Sequence, residues 1–193
     1  MGLKIDNLPK DLETIFLNQV LSAPMVANVF RFLQNKDLPN CYLTGGALYQ
    51  TIWNSQTSRN NYKEIQDYDI FFYDLENQSE EYEKSIEIEI HDEFGLAGDV
   101  KNQARVHLWY RKKFGIQINP LKSSEEGISK FPVECTCVGI NTVNSNIFSP
   151  FGLQDIFEGV LKRNKLSPAS AEQFSKKSQS YKSRWPNLKI YSD

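Results

Sequence analysis

The 193-residue chain is predicted to fold as one α+β domain. Three observations predict this fold class: helical periodicity at both ends, short β-compatible runs between helical stretches in the middle, and no repeat or low-complexity linker. A hydrophobic content of 40% with 24% charged residues is typical of a globular protein with its own core. We therefore expect a single domain over residues 1–193.

The N-terminal third of the chain predicts two helices, a strand and a third helix. Residues 41–44 form a short β-compatible run, which Gly45-Gly46 connects to a helical stretch over 47–53. The polar run 54–63 is predicted to be a loop. The two N-terminal helices lie before and after Pro24 and are indicated by apolar residues at helical spacing: Leu12, Ile15, Phe16, Val20 and Leu21, then Met25, Val29, Phe30 and Leu33.

An aromatic-rich strand over 65–74 and a helix that begins after Ser79 are predicted next. Ser79 can cap this helix, and the glutamates of its first turn suit the positive end of the helix dipole. Apolar residues at i, i+4 form its buried stripe, so we interpret its glutamates as an ordinary solvated face without function. The residues concerned are Glu80, Glu81 and Glu83 in the first turn, and Tyr82, Ile86, Ile90 and Phe94 in the stripe.

The C-terminal half continues the alternation of strands and helices. The run 104–113 fits either a continued strand or a helix. The other predicted elements are a strand over 96–103, a short helix over 123–131, an alternating strand over 133–140, a turn at 144–146 that forms a hairpin with 147–148, and two closing helices over 151–161 and 171–185.

Charge and cysteine content argue against several classes of protein. The 22 Lys and Arg residues nearly balance 24 Asp and Glu residues, so no general field attracts nucleic acid or anionic lipid. We find no signal-peptide core and no unbroken run of about 18 apolar residues, so we expect a cytoplasmic protein that does not enter a membrane. Cys41, Cys135 and Cys137 show no CxxC spacing and only two histidines accompany them, which predicts buried, reduced thiols rather than a zinc site.

Asp67 and Asp69 carry the main chemical signal of the sequence. They are separated by one residue on a predicted strand, so both carboxylates lie on the same face of that strand. Two such anions repel each other unless a cation lies between them, and Mg²⁺ binds through a few carboxylates together with substrate phosphate oxygens. An isolated pair of this kind is also common at solvated strand ends.

The strand, Gly45-Gly46 turn and helix that precede this pair strengthen the signal. Glycine lets backbone amides approach phosphate oxygens closely, and the N-terminus of the following helix favours negative charge. A lone Gly-Gly can also be a tight turn and nothing more. The two features in this order provide one element for a triphosphate and one for its metal, as phosphoryl and nucleotidyl transfer require.

Such a site needs a third acidic residue on a neighbouring strand, where it helps to bind the metal and acts as a general base on the attacking hydroxyl. Asp99 is our candidate because its flanking pattern suits a strand. Asp92 and Glu93, near the end of the preceding helix, are alternatives.

The runs LTGG (43–46) and DYDI (67–70) resemble the signature of the DNA polymerase β-type nucleotidyltransferase superfamily. Further runs resemble a family of small, mostly bacterial nucleotidyltransferase-like proteins whose substrate is unassigned, and the likeness extends over 42–188. The resemblance implies a mixed sheet with helices mainly on one face. One departure is the long interval between Gly46 and Asp67. The further runs are GGALYQTIWN, QDYDIFFYD, DVKNQARVHLWYRKKFG, SPFGLQDIF and RWPNL.

The resemblance also implies roles for particular residues. Lys101 and Arg105 follow the third acid and are expected to contact phosphate or the second substrate; Arg105 suits phosphate best because of its forked guanidinium. Asn102, Gln103 and His107 share this segment but can equally satisfy backbone groups or pack in the interior. By position in the family pattern, Gly45 and Gly46 are expected to contact phosphate, Asp67 and Asp69 to bind the metal, and Asp99 to be the third acid.

The function that follows is transfer of a nucleoside monophosphate from an NTP to an acceptor, with release of pyrophosphate and with Mg²⁺ or Mn²⁺ as cofactor. The acceptor can be a small molecule, a protein or an RNA, although no strong nucleic-acid signal is present. Two alternatives stay open: a non-catalytic nucleotide-binding or regulatory domain, and an antitoxin-like protein that modifies or masks a partner.

Overall fold

A computed structural model describes residues 8–57, 65 and 68–191, and it describes the side chains from residue 12 onward. The described residues form eight α-helices and seven β-strands, with two short 3-10 turns at Gln103–Arg105 and Glu134–Thr136. In chain order the elements are α1 (Leu8–Ser22), α2 (Pro24–Gln34), β1 (Tyr42–Thr44), α3 (Gly46–Gln56), β2 (Tyr68–Phe72), α4 (Glu80–Phe94), β3 (Gly98–Asn102), α5 (Val106–Phe114), α6 (Ser124–Ile128), β4 (Gly139–Asn141), β5 (Ile147–Phe148), α7 (Gln154–Glu158), β6 (Val160–Lys162), α8 (Ala171–Arg184) and β7 (Lys189–Tyr191).

Five of the strands form one mixed sheet in the order β3-β2-β1-β4-β5, and β6 pairs with β7 in a separate small sheet. Strands β2 and β3 are parallel because helix α4 crosses over between them, whereas the other pairs of the large sheet are antiparallel. The predicted α+β class with a mixed sheet is therefore confirmed.

The main hydrophobic core lies on one face of this sheet. Strand β2 alternates between buried and partly exposed residues, so Tyr68, Ile70 and Phe72 enter the main hydrophobic core while Asp69 and Phe71 point to the opposite face. That core includes residues of α1 to α4, which confirms the helices expected on one side. Because a slip of one residue would bury Asp69 in this core, the hydrophobic packing fixes which face the carboxylate occupies.

The glutamates of α4 are not all solvated, which corrects the expectation from the sequence. Strand β3 lies at the edge of the sheet, and its outward N–H groups need acceptors. Glu83 is 2% exposed and accepts the Asn102 N–H at 2.7 Å, while Glu87 accepts the Val100 N–H at 3.0 Å. Two carboxylates on consecutive turns of α4 therefore satisfy the edge of the strand.

Three predicted elements were wrong in extent. The expected strand over 133–140 contains a 3-10 turn, in which the Thr136 hydroxyl donates to the Val133 carbonyl at 2.7 Å, and only its last residues belong to β4. The expected helix over 151–161 is limited to α7, because Gly159 adopts a φ of +66° and the chain then pairs as β6. Helix α3 extends to Gln56, into the predicted loop over 54–63.

Two further local predictions agree with the structure, the cap of α4 and the burial of the cysteines, and the ambiguity over 104–113 is resolved. The ambiguous run 104–113 is mostly helical, as α5, and Ser79 caps α4 by accepting the Tyr82 N–H at 3.1 Å. The three cysteines are buried and free, as expected. Trp185 anchors the end of α8 by donating to Asn54 at 2.9 Å. No described helix is long and apolar enough to cross a membrane.

Candidate active site

A row of residues crosses three adjacent strands on the face of the sheet opposite the main hydrophobic core. Thr44 of β1 pairs with Asp69 of β2, and Asp69 pairs in turn with Asp99 of β3. Residues opposite each other in a sheet present their side chains on the same face, and adjacent strands lie about 4.8 Å apart. Asp69 and Asp99 therefore face the same space, a cleft of about 730 Å³ that both residues line. Asp67 lies outside the described residues.

The Gly45-Gly46 turn lies directly against one of these carboxylates. The Gly46 N–H donates to Asp69 Oδ2 at 3.2 Å. Gly45 has a φ of +69°, and a Cβ at this position would lie 1.8 Å from Asp69 Oδ2. Only glycine provides both this backbone conformation and this close approach. The turn and the carboxylate thus form a single unit at the N-terminus of α3.

The third acid is held by a neighbouring lysine. Lys101 Nζ lies 2.6 Å from Asp99 Oδ1 and 2.8 Å from Glu87 Oε1. Burial alone would lower the pKa of Lys101, but the contacts with the two carboxylates raise it, so the ammonium group stays protonated. Of the alternatives for the third acid, Asp92 is 74% exposed on α4, and neither Asp92 nor Glu93 is among the described residues that line the cleft.

Arg105 is engaged away from the cleft. Its Nη1 lies 2.8 Å from Glu83 Oε2, the side chain is 12% exposed, and Arg105 is not among the described residues that line the cleft. Burial raises the pKa of Glu83, which the Asn102 N–H and the Arg105 charge oppose. Arg105 thus neutralises a buried carboxylate, whereas Lys101, the other predicted phosphate contact, lines the cleft.

The other polar residues of the 101–107 segment divide between cleft and interior. The Asn102 side chain is buried and donates to the carbonyls of Asp74 and Asn77 at 2.7 and 2.9 Å, so it satisfies backbone groups. Gln103 lines the cleft and donates to the Lys101 carbonyl at 3.2 Å. His107 does not line the cleft among the described residues, and its Nδ1 is buried.

A family model described as nucleotidyltransferase matches residues 31–190 of this chain. The chain belongs to this nucleotidyltransferase family. The matched range includes the row across β1, β2 and β3 and every described residue of the cleft. The resemblance stated from the LTGG and DYDI runs is thereby confirmed.

Two solved structures are similar to this nucleotidyltransferase. One is an NMR structure described as revealing a CCA-adding enzyme head domain, with 20% identity, a TM-score of 0.72 and all of both chains covered. The other is a complex of CCA-adding enzyme with ATP, with 17% identity and a TM-score of 0.51, covering 91% of this chain and 42% of that one. A search of curated proteins finds no match. At these identities the likeness shows the fold alone.

Two helices form the walls of the cleft in this nucleotidyltransferase. Helix α8 contributes Lys177 and Tyr181, and the Tyr181 hydroxyl lies 2.6 Å from that of Tyr49 on α3. Burial raises the pKa of both tyrosines, so both hydroxyls stay protonated. Helix α5 contributes an aromatic group that includes Trp109. For Lys177, the clustering of Lys176, Lys177 and Lys182 along α8 is a sequence signal for a basic helix face.

The residues of the row also fit a hard divalent cation. Asp69 and Asp99 offer oxygen donors only, and they face one cleft from neighbouring strands. Mg²⁺ and Mn²⁺ prefer such donors and commonly take a few carboxylates together with phosphate oxygens. The described residues contain no group of three or more histidine, cysteine or acidic side chains placed to hold a metal, and Asp67 lies outside them. The pair therefore suits a cation that a bound substrate also ligates.

Proposed function

We propose that this nucleotidyltransferase transfers a nucleoside monophosphate from an NTP to an acceptor hydroxyl and releases pyrophosphate. The observation that supports this most is the row of the Gly45 turn, Asp69 and Asp99 across three adjacent strands in one cleft. The row is about 10 Å long, twice the strand spacing, which leaves room for phosphates at one end and an acceptor at the other. The similar structure with bound ATP supports an NTP as the donor.

In this proposal the turn and the carboxylates have separate tasks. The backbone amides of Gly45 and Gly46 contact the phosphates at the N-terminus of α3, where the helix dipole favours negative charge. To do so, the Gly46 N–H exchanges its bond to Asp69 for a phosphate oxygen. Asp67, Asp69 and Asp99 would hold Mg²⁺ or Mn²⁺. When bound, the cation would neutralise charge on the phosphate oxygens and offset the repulsion between carboxylates.

The chemical step is an in-line displacement at the α-phosphorus. A bond forms between the acceptor oxygen and the α-phosphorus, and the bond from the α-phosphorus to the bridging oxygen breaks, so that pyrophosphate leaves with the electron pair. Asp99 accepts the proton of the acceptor hydroxyl. To do so it exchanges its contact with Lys101 for the hydroxyl, while Glu87 still holds the ammonium group.

The test follows label from an α-³²P-labelled NTP. Each of the four NTPs is incubated with the protein, Mg²⁺ and an extract of the source cells, and labelled products and pyrophosphate are measured. We expect Asp69→Asn to lower both by at least about a hundredfold, since it removes a charge with little change of shape. Asp92→Asn is the matched control, because it makes the same change on an exposed site outside the cleft. Equal turnover by the Asp69 variant and wild type would refute the assignment.

A second candidate function is nucleotide binding without turnover. The contact between Lys101 and Asp99 favours it, because the ammonium group at 2.6 Å occupies the carboxylate that would accept the proton of the acceptor hydroxyl. Calorimetry distinguishes the two functions. Binding of an NTP with Mg²⁺, together with no pyrophosphate above the Asp69→Asn background after hours with the extract, would support the binding domain and reject the transferase.

A further inference from the structure

The cleft continues beyond the acidic row to a cluster of aromatic side chains on α5. We call Trp109, Tyr110 and Phe114 the aromatic wall; all three line the cleft. The ring centroids of Tyr110 and Phe114 are 4.6 Å apart, and those of Trp109 and Phe114 are 6.4 Å apart. Phe114 is 40% exposed, so these rings pack on each other without being covered by the core. Large aromatic surface in a cleft is typical of a ligand site.

Three lysines line the same cleft, and one of them lies directly over the aromatic wall. Lys113 lies over the rings of Trp109 and Phe114 at 5.5 and 5.4 Å, Lys130 follows α6, and Lys177 comes from α8. None of the three forms an ion pair with any residue that the structure describes. Cations without a carboxylate partner in a cleft attract an anionic ligand and oppose a cationic one.

The order of the strands places the aromatic wall at the acceptor end of the row. Strand β3, which carries Asp99, leads through the turn at Gln103–Arg105 directly into α5. The phosphate-contacting Gly45 turn belongs to β1 and α3, two strands away. A ligand on the aromatic wall therefore approaches from the Asp99 side, where the proposed general base accepts the proton of the acceptor hydroxyl.

We propose that the aromatic wall and its lysines form the acceptor subsite, and that the acceptor is a small molecule with a planar aromatic ring and an anionic group. This inference rests on the proposed function. Aromatic side chains stack on planar rings, and the lysines neutralise the anion. The volume of about 730 Å³ accommodates an NTP and a small second substrate, and the net charge of −2 provides no general attraction for a polyanion such as RNA.

Tryptophan fluorescence provides a direct test, because the chain has three tryptophans and two of them report nothing from the cleft. Trp53 and Trp185 are each 1% exposed and donate hydrogen bonds inside the core, whereas Trp109 lines the cleft. The NTP site is first saturated with Mg²⁺ and a non-hydrolysable NTP. Adenosine 5′-monophosphate is then titrated as a ring with an anion, adenosine as the ring alone and ribose 5-phosphate as the anion alone.

We expect adenosine monophosphate to quench Trp109, adenosine to bind about tenfold more weakly, and ribose 5-phosphate to leave the emission unchanged. Phe114→Ala should weaken the monophosphate about tenfold, and Lys113→Met should reduce its affinity to that of adenosine. Leu108→Ala is the matched control on α5, because Leu108 is 63% exposed and is not among the described residues that line the cleft. Trp109→Phe should remove the signal.

Three results would overturn the inference: no quenching by the monophosphate, equal weakening by Leu108→Ala and Phe114→Ala, or a ten-residue oligoadenylate that binds more than tenfold tighter than the monophosphate. Failure of the proposed function looks different. If Trp109 responds as expected but no label is transferred from any NTP, the transferase is rejected. If label transfer depends on Asp69 but the fluorescence of Trp109 does not change, only the acceptor subsite is rejected.

Discussion

Replacement of Gly45 by alanine tests the unit formed by the turn and Asp69. The φ of +69° strains an alanine by about 1–3 kcal/mol. The new Cβ would lie 1.8 Å from Asp69 Oδ2, so the carboxylate must move and lose its bond from the Gly46 N–H, which adds about 1.5 kcal/mol. We expect a total loss of about 3 kcal/mol, or roughly 6–12 °C in Tm for a chain of this length.

Gly46→Ala is the matched control for this prediction. Gly46 is not among the glycines with positive φ, and the three atoms nearest its added Cβ would all belong to the Gln50 side chain, with the terminal Nε2 the closest. It is also the first residue of α3, where alanine is well tolerated, so its cost should stay below about 1 kcal/mol. Urea unfolding measures both variants, and calorimetry with an NTP and Mg²⁺ measures binding.

The refuting outcomes are defined by the same pair of variants. If Gly45→Ala is as stable as Gly46→Ala, Gly45 does not lie in close contact with the Asp69 carboxylate. If Gly45→Ala is destabilised but binds the NTP as tightly as wild type, the position of the Asp69 carboxylate does not matter for the nucleotide. In an Asp69→Ala background the cost of Gly45→Ala should fall by about 1 kcal/mol, because the two nearest clashing atoms are gone.

Two further predictions concern residues outside the row. Arg105→Met should lower the free energy of unfolding by about 3 kcal/mol, because it leaves Glu83 buried and unpaired, yet change the calorimetric Kd for an NTP less than twofold; weaker binding without destabilisation would restore a phosphate role. Burial acts to raise the pKa of Glu125, but hydrogen bonds from Tyr42 and Asn40 hold it below its ordinary 4.5. The stabilisation from the ionised Glu125 is present above pH 4.5 and lost as pH falls, so in Glu125→Gln the free energy of unfolding in urea should fall less steeply below that pH than in wild type. An equally steep fall in both proteins contradicts this.

The parts of the site that could be predicted are those with a local signal. The Gly45-Gly46 turn is specified by a requirement that glycine alone meets, and β2 is specified by its alternation of apolar residues around Asp69. Asp99 was placed on a neighbouring strand by order along the chain, and the register confirms that position, although its role stays a prediction.

The parts that were missed depend on contacts between distant residues. Arg105 has the chemistry of a phosphate ligand. Its ion pair with Glu83 becomes visible only when α4 is packed on β3. The alternation over 133–140 predicted a strand, but the Thr136 hydroxyl donates a local hydrogen bond to the Val133 carbonyl, which favours a turn. A signal for the buried glutamates was present: Glu83 and Glu87 lie four residues apart beside the apolar stripe, so they share one border of the buried face.

The edge position of β3 explains why the site needs α4. An edge strand with unsatisfied N–H groups could shift along or away from its single neighbour, and Asp99 would move with it. Glu87 accepts both the Val100 N–H and the ammonium group of Lys101, which in turn contacts Asp99. One carboxylate thus fixes the backbone of the strand and the partner of the third acid together. The glutamates of α4 thereby connect the hydrophobic packing of this helix to the geometry of the acidic row.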